Sequence, residues 1–73
     1  MARSAPLAEH LRARLAAIVA RDGEHVAVAR LRIARPTLAR ALAGLPLLVG
    51  NQELVRARLD VVEAEDERLR QAP

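Results

Sequence analysis

The sequence predicts an all-α fold, a compact bundle of four or five short helices, and three observations carry that prediction. First, 52% of the 73 residues are hydrophobic although Phe, Trp and Tyr are all absent, so Leu, Ala, Val and Ile must build the core. Leu and Ala are strong helix formers, and only three Gly and four Pro interrupt them. Second, apolar residues recur three and four apart in successive segments, which places them on one face of a helix. Third, residues 24–45 read as two short helices joined by a tight turn, the layout of a helix-turn-helix. The whole of 1–73 is one domain, close to the lower size limit for folding without disulfides or metals.

Residues 1–4 are expected to be a flexible arm, with Arg3 able to touch a phosphate. Ser4 is the expected N-cap of helix 1, because its hydroxyl can accept an orphan amide bond and Pro6 fits a first helical turn. Helix 1 runs to about Arg21, with Leu7, Leu11, Leu15 and Ile18 on one face. Asp22 and Gly23 stop it, Gly23 being suited to a left-handed cap. Helix 2 covers about Glu24 to Leu31, with Glu24 favourable to its dipole, Val28 and Leu31 facing the core, and Val26 and Ala27 near the edge.

Arg32, Ile33 and Ala34 form the turn, Ile33 plugging the space between helices. Helix 3 starts at Arg35 or Pro36 and ends near Ala43 and Gly44. Leu38, Ala41, Leu42 and Leu45 supply its inner face, leaving Arg35, Thr37, Ala39, Arg40 and Ala43 outside or at the margin. The loop 45–49 (Leu45, Pro46, Leu47, Leu48, Val49) closes the bottom of the core, and Asn51 caps helix 4. Val55, Leu59 and Val62 are the main stripe of that helix, broadened by Leu54, Val61 and Leu69. Residues 64–73 are expected to fray, because Glu65, Asp66 and Glu67, together with the preceding Glu63, oppose the dipole at the helix end.

Charge is distributed unevenly. All twelve basic side chains are Arg, a bias that a GC-rich coding sequence also produces, and the net charge is only +3. Yet Arg30, Arg32, Arg35 and Arg40 lie in a stretch from His25 to Gln52 that holds no acid, whereas five acids and no base lie between Asp60 and Glu67. The basic block coincides with the two short helices and their turn.

The same reading argues against other classes. There is no cysteine, so no disulfide or thiolate metal site. His10 and His25 have no ligand-like spacing and are expected at the surface or as caps, and the acids from Glu63 to Glu67 lack the spacing and glycine of a calcium loop. No phosphate-binding glycine loop is present, and neither Ser4 nor Thr37 has a histidine base in a recognisable arrangement. An enzyme, a cofactor and a metal are therefore not expected. No apolar run approaches the ~18 residues of a membrane span, and the start lacks the apolar core of a secretion signal. The expected location is the cytoplasm.

Residues 28–42, VARLRIARPTLARAL, resemble the phage-repressor-like helix-turn-helix family (lambda-repressor-like, Xre-type). That family's pattern is a small residue, two variable residues, Leu-Gly-Val/Ile-Ser, two more, then Thr-Val/Leu. The continuation through Ala43, Gly44, Leu45 and Pro46 looks like small bacterial or phage regulators of this type. Three departures stand out. Arg32 replaces the turn glycine, at about 1–2 kcal/mol if that position is left-handed. Ala34 replaces the capping serine, forgoing about 1 kcal/mol, and Val28 replaces the small residue.

The resemblance implies sequence-specific binding of double-stranded DNA by a small transcriptional regulator, a repressor, associated with the nucleoid. It places Arg35, Thr37 and Arg40 toward the major groove, lets Pro36 and Ala39 bring the backbone close, and assigns Arg30 and Arg32 to phosphates. A homodimer through helix 4 and the loop 45–49 would set two recognition helices ~34 Å apart. The alternative is a helical protein-interaction module or antitoxin-like partner binder, which would use the aliphatic loop and helix 4 instead.

Overall fold

A computed structural model describes residues 3–72. Helices α1 (Glu9–Asp22), α2 (Glu24–Leu31), α3 (Arg35–Leu42) and α4 (Val49–Gln71) make up most of the chain, and the all-α expectation holds with four helices. Two three-residue strands were not anticipated: β1 (Ser4–Pro6) pairs antiparallel with β2 (Pro46–Leu48), Ser4 opposite Leu48 and Pro6 opposite Pro46. No helix among the described residues is long and apolar enough to cross a membrane.

The strands overturn two expectations about the start of the chain. Ser4 does not cap α1; it lies in β1, and α1 begins at Glu9 after Ala8. Pro6 is the physical reason, since a residue before proline is driven to the extended region, which here carries Ala5 into a strand. The expected arm 1–4 is accordingly tied down at its end: the Arg3 carbonyl accepts the Val49 amide at 3.2 Å. Met1 and Ala2 lie outside the described residues.

That bond also explains why Asn51 is not the cap of α4. The helix starts three residues earlier than that cap requires, directly after extended Leu48, and the Arg3 carbonyl serves the first of the amides that have no helical partner. The segment 45–49 is thus not a loop; most of it is β2, with Leu47 buried and Pro46 and Leu48 outward, as strand alternation requires. Gln52, one turn into α4, donates its amide to the carbonyls of Ala5 (3.2 Å) and Leu47 (2.8 Å), binding both strands to the helix.

Among the described residues, thirteen buried apolar side chains form the core, including Leu11, Leu15 and Ile18 of α1, Leu31, Ile33, Leu38 and Ala41, and Val55, Leu59 and Val62 of α4. Leu7 and Leu47 extend it beneath the sheet. Ala27, expected at the edge, is fully buried, whereas Leu45, Leu54, Val61 and Leu69 are exposed rather than part of the packed face. The segment expected to fray from residue 64 is helical through Gln71, with Pro73 outside the described residues. Ion pairs from Glu65 and Asp66 to Arg21 and Arg30 hold it against the body.

No helix among the described residues has a side-chain cap at its N-terminus, and two of the junctions are made by glycine backbone. Gly23 alone separates α1 from α2, at φ +86° and ψ +157°, an extended positive-φ geometry open essentially to glycine and different from the left-handed cap expected there. At the end of α3, the Leu45 amide reaches the Arg40 carbonyl (3.0 Å) and the Gly44 amide the Ala41 carbonyl (3.2 Å), with Gly44 at φ +74°. These are the paired bonds of a Schellman closure.

Candidate nucleic-acid interface

The connection between α2 and α3 is three residues long, Arg32 to Ala34. Arg32 adopts φ +54° and ψ +41°, the left-handed conformation, and is the one non-glycine residue with positive φ among those described. Burial of its neighbour offsets the cost: Ile33 is enclosed between the helices, and extended Ala34 starts α3 without a side-chain cap. The far side of the turn is braced by Arg58 of α4, whose guanidinium donates to the carbonyls of Arg30 (2.9 Å) and Leu31 (3.0 Å). Those are terminal carbonyls of α2 with no helical partner, and a charged donor is well suited to them.

Because Arg32 carries that backbone strain, Arg32→Gly is expected to stabilise the fold by about 1 kcal/mol. For a domain of this size that raises the melting temperature by about 4–8 °C. A thermal melt followed by circular dichroism checks it, and an unchanged or lower midpoint would show that the turn is not strained.

α3 buries Leu38 and Ala41 and half-buries Leu42, so its opposite side faces solvent. Arg35, Pro36, Ala39 and Arg40 lie on that exposed arc. Thr37 is half-buried at its edge, where it lines a shallow cleft of about 320 Å³ with Ser4, Arg40, Pro46, Leu48 and Asn51. Ser4 and Asn51, read in the sequence as caps, instead line the same cleft as Thr37. Arg40 donates to the Pro46 carbonyl at 2.9 Å while remaining exposed, which aims it along the β2 side of the arc. Arg35 Nε lies 3.2 Å from Glu24 Oε1, both side chains more than half exposed, so water screens the pair.

Arg30, expected at a phosphate, is half-buried and engaged by carboxylates: Asp22 Oδ2 and Asp66 Oδ1 at 2.9 Å each, and Glu65 Oε1 at 3.4 Å. Arg21 closes the arrangement, pairing with Asp22 Oδ1 and Asp66 Oδ2 at 2.8 Å each. Two arginines and two aspartates thus alternate around a ring contributed by α1, α2 and α4. Bonds from Arg21 and Arg30 hold the Asp22 carboxyl down at about 2, and Arg30 likewise lowers Asp66. Two turns earlier on α1, Arg14 Nη2 bonds Asp60 (2.7 Å) and Glu63 (2.6 Å), raising the already high arginine value. The acidic block from Asp60 to Asp66 is therefore largely spent on Arg14, Arg21 and Arg30. Among the described residues, Arg32 and Arg40 have no carboxylate partner.

No family model matches the chain, and no curated protein or solved structure does.

Proposed function

We propose that the chain binds double-stranded DNA through α2, its turn and α3 used as a helix-turn-helix, and acts as a small transcriptional repressor on the nucleoid. The observation that carries this reading is the solvent-facing arc of α3, where Arg35 and Arg40 flank small Ala39 on a surface with no acidic residue of its own. Exposed Arg32 extends it at the turn. A flat, small-residue face lets the helix backbone enter a groove about 12 Å wide, and arginines at its margins suit guanine edges or phosphates. Thr37, at the rim, suits a phosphate or a thymine methyl.

Dimerisation through α4 belongs to the same proposal. Val55, Leu59 and Val62 are committed to the core, so a second copy would meet the outer stripe of Leu54, Ala57, Val61 and Ala64, with Leu48 and Val49 near its start. Leu and Val alternate there with Ala at heptad-like spacing, and an antiparallel pairing would set each large residue against a small one.

A partner-binding module remains the second reading, favoured by the exposed Leu45, Leu48, Val49 and Leu54 around the sheet and the start of α4. Selection from a random duplex pool, followed by gel shifts at rising salt, separates the two. The expected result is a palindromic consensus and affinity that falls with salt at a log–log slope of about −0.9 per phosphate contacted. No enrichment, with no shift even at low salt, would overturn DNA binding and leave the partner reading.

A further inference from the structure

We propose that the last turns of α4 are an electrostatic strap, held onto α1 and α2 by charge and displaced when a polyanion competes for Arg21 and Arg30. The proposal deepens the DNA reading in one respect, the identity of the competitor, and rests on it there alone.

The first support is how α4 is attached. The apolar face of the helix ends at Val62: no residue from Glu63 to Gln71 is buried, and the single large apolar side chain there, Leu69, is 72% exposed. What joins this segment to the body is ionic. Glu63 meets Arg14, Asp66 divides its two oxygens between Arg21 of α1 and Arg30 of α2, and Glu65 also reaches Arg30. The pairs made by Arg14 and Arg30 span 35 to 49 residues of sequence, so they are tertiary contacts and not internal helix pairs. A segment held without apolar burial opens at low free energy and as a unit.

The second support is intrinsic. Glu63, Glu65, Asp66 and Glu67 sit in the last turns of α4, where the dipole disfavours negative charge, and Arg68 and Arg70 offset it only in part. Once unfastened, the segment has little reason to remain helical. Release therefore amounts to local melting of the turns beyond Val62, which leaves Arg14 with Asp60 alone and Arg21 and Arg30 sharing Asp22. Ile18 and Ala17, which line the groove beneath Glu63, Asp66 and Glu67, lose part of their cover.

The third support selects the trigger. The strap's carboxylate oxygens, both of Glu63 on Arg14 and one of Asp66 on each of Arg21 and Arg30, occupy guanidinium donors that phosphodiester oxygens also accept from, so phosphates are direct competitors. Acid is a poor trigger for the ring, because Arg21 and Arg30 hold the Asp22 carboxyl at about 2 and lower Asp66. Salt and polyanions act at neutral pH, and only a polyanion delivers several anionic groups to neighbouring arginines at once.

The test uses the full chain. Amide exchange by NMR is recorded for the wild type alone, with a duplex of roughly 16 base pairs, about one and a half helical turns, and with heparin as a polyanion that carries no sequence. The expected result is that protection of residues 65–71 falls about tenfold on adding either polyanion, while amides around Leu15 and Leu59 are unchanged. Glu65→Gln with Asp66→Asn should show that loss without any ligand, and should steepen the log–log salt slope of duplex binding by about 1, since Arg21 and Arg30 then share Asp22 as their one remaining carboxylate. Glu53→Gln with Glu67→Gln carries the same charge change outside the ring and should leave the slope near wild type. Unchanged or increased protection with both polyanions would overturn the strap, as would an equal slope change in the control. If duplex fails to bind while heparin still loosens 65–71, the strap stands and the DNA reading fails.

Discussion

Leu15→Ala is expected to unfold the domain at room temperature. Leu15 is 0% exposed at the middle of α1, the helix that packs on α2, α3 and α4. Truncating a buried leucine costs about 2–5 kcal/mol, from lost transfer energy plus the cavity left behind. A core in a chain this short rarely supplies more than about 3–5 kcal/mol in total. The two quantities are of the same size, so one side chain is enough to remove most of the folded population. Absent aromatics make this site less forgiving, because no large ring stands nearby to close the gap. Chemical denaturation followed by circular dichroism provides the measurement, with Leu69→Ala as a control expected within about 0.5 kcal/mol of wild type. A Leu15→Ala protein whose midpoint stays within that margin would mean the core is not centred on α1.

The contrast between Leu15 and Leu69 shows what sequence patterning conveys. Leu11, Leu15, Ile18, Leu31, Leu38, Val55, Leu59 and Val62 were readable as core because each repeats at helical spacing on a segment of two turns or more, and all are buried. Leu45, Leu54, Val61 and Leu69 share the chemistry but not the burial, because a small domain has too little interior to hide every aliphatic residue. The strands were unreadable for a related reason. Three residues give no period, and Pro6 and Pro46 look like helix punctuation until the two segments meet. Their pairing is non-local, and so is the Arg3–Val49 bond that replaces the expected Asn51 cap.

The same distinction divides the candidate interface. Counting from the inner face of α3 places Arg35, Thr37, Ala39, Arg40 and Ala43 outside or at the margin, and the structure exposes all but Thr37, which is half-buried. Arg30 obeyed the same local pattern, but its surroundings come from Asp22 and from Glu65 and Asp66, 8, 35 and 36 residues away. Arg58, which braces the end of α2 from 27 and 28 residues away, had no local signal. A uniform arginine population hides such roles, since the residue type is identical whether it serves a helix end, a carboxylate or a phosphate.

Replacing Arg35 and Arg40 together by Ala is expected to abolish sequence-selective DNA binding while leaving the fold intact. The structural cost is small at both positions. Arg35 gives up a solvent-screened pair with Glu24, and Arg40 gives up an exposed bond to the Pro46 carbonyl that water can replace. The binding cost is larger, since an arginine that bonds guanine O6 and N7 contributes about 1–3 kcal/mol of discrimination. That corresponds to about five- to 150-fold in affinity for the selected site per residue. The pair of Lys variants refines the test: lysine keeps the charge but loses the planar two-pronged donor, so affinity for random duplex and its salt slope should persist while preference for the selected site drops. Phosphate contacts by the same arginines predict the opposite, a slope reduced by about one unit for each Ala substitution and little change with Lys. Binding curves on selected and scrambled duplexes at low, moderate and high salt distinguish these outcomes. If the double Ala variant binds the selected site as the wild type does, α3 is not the reading helix, and the exposed apolar surface of β2 and α4 becomes the working face.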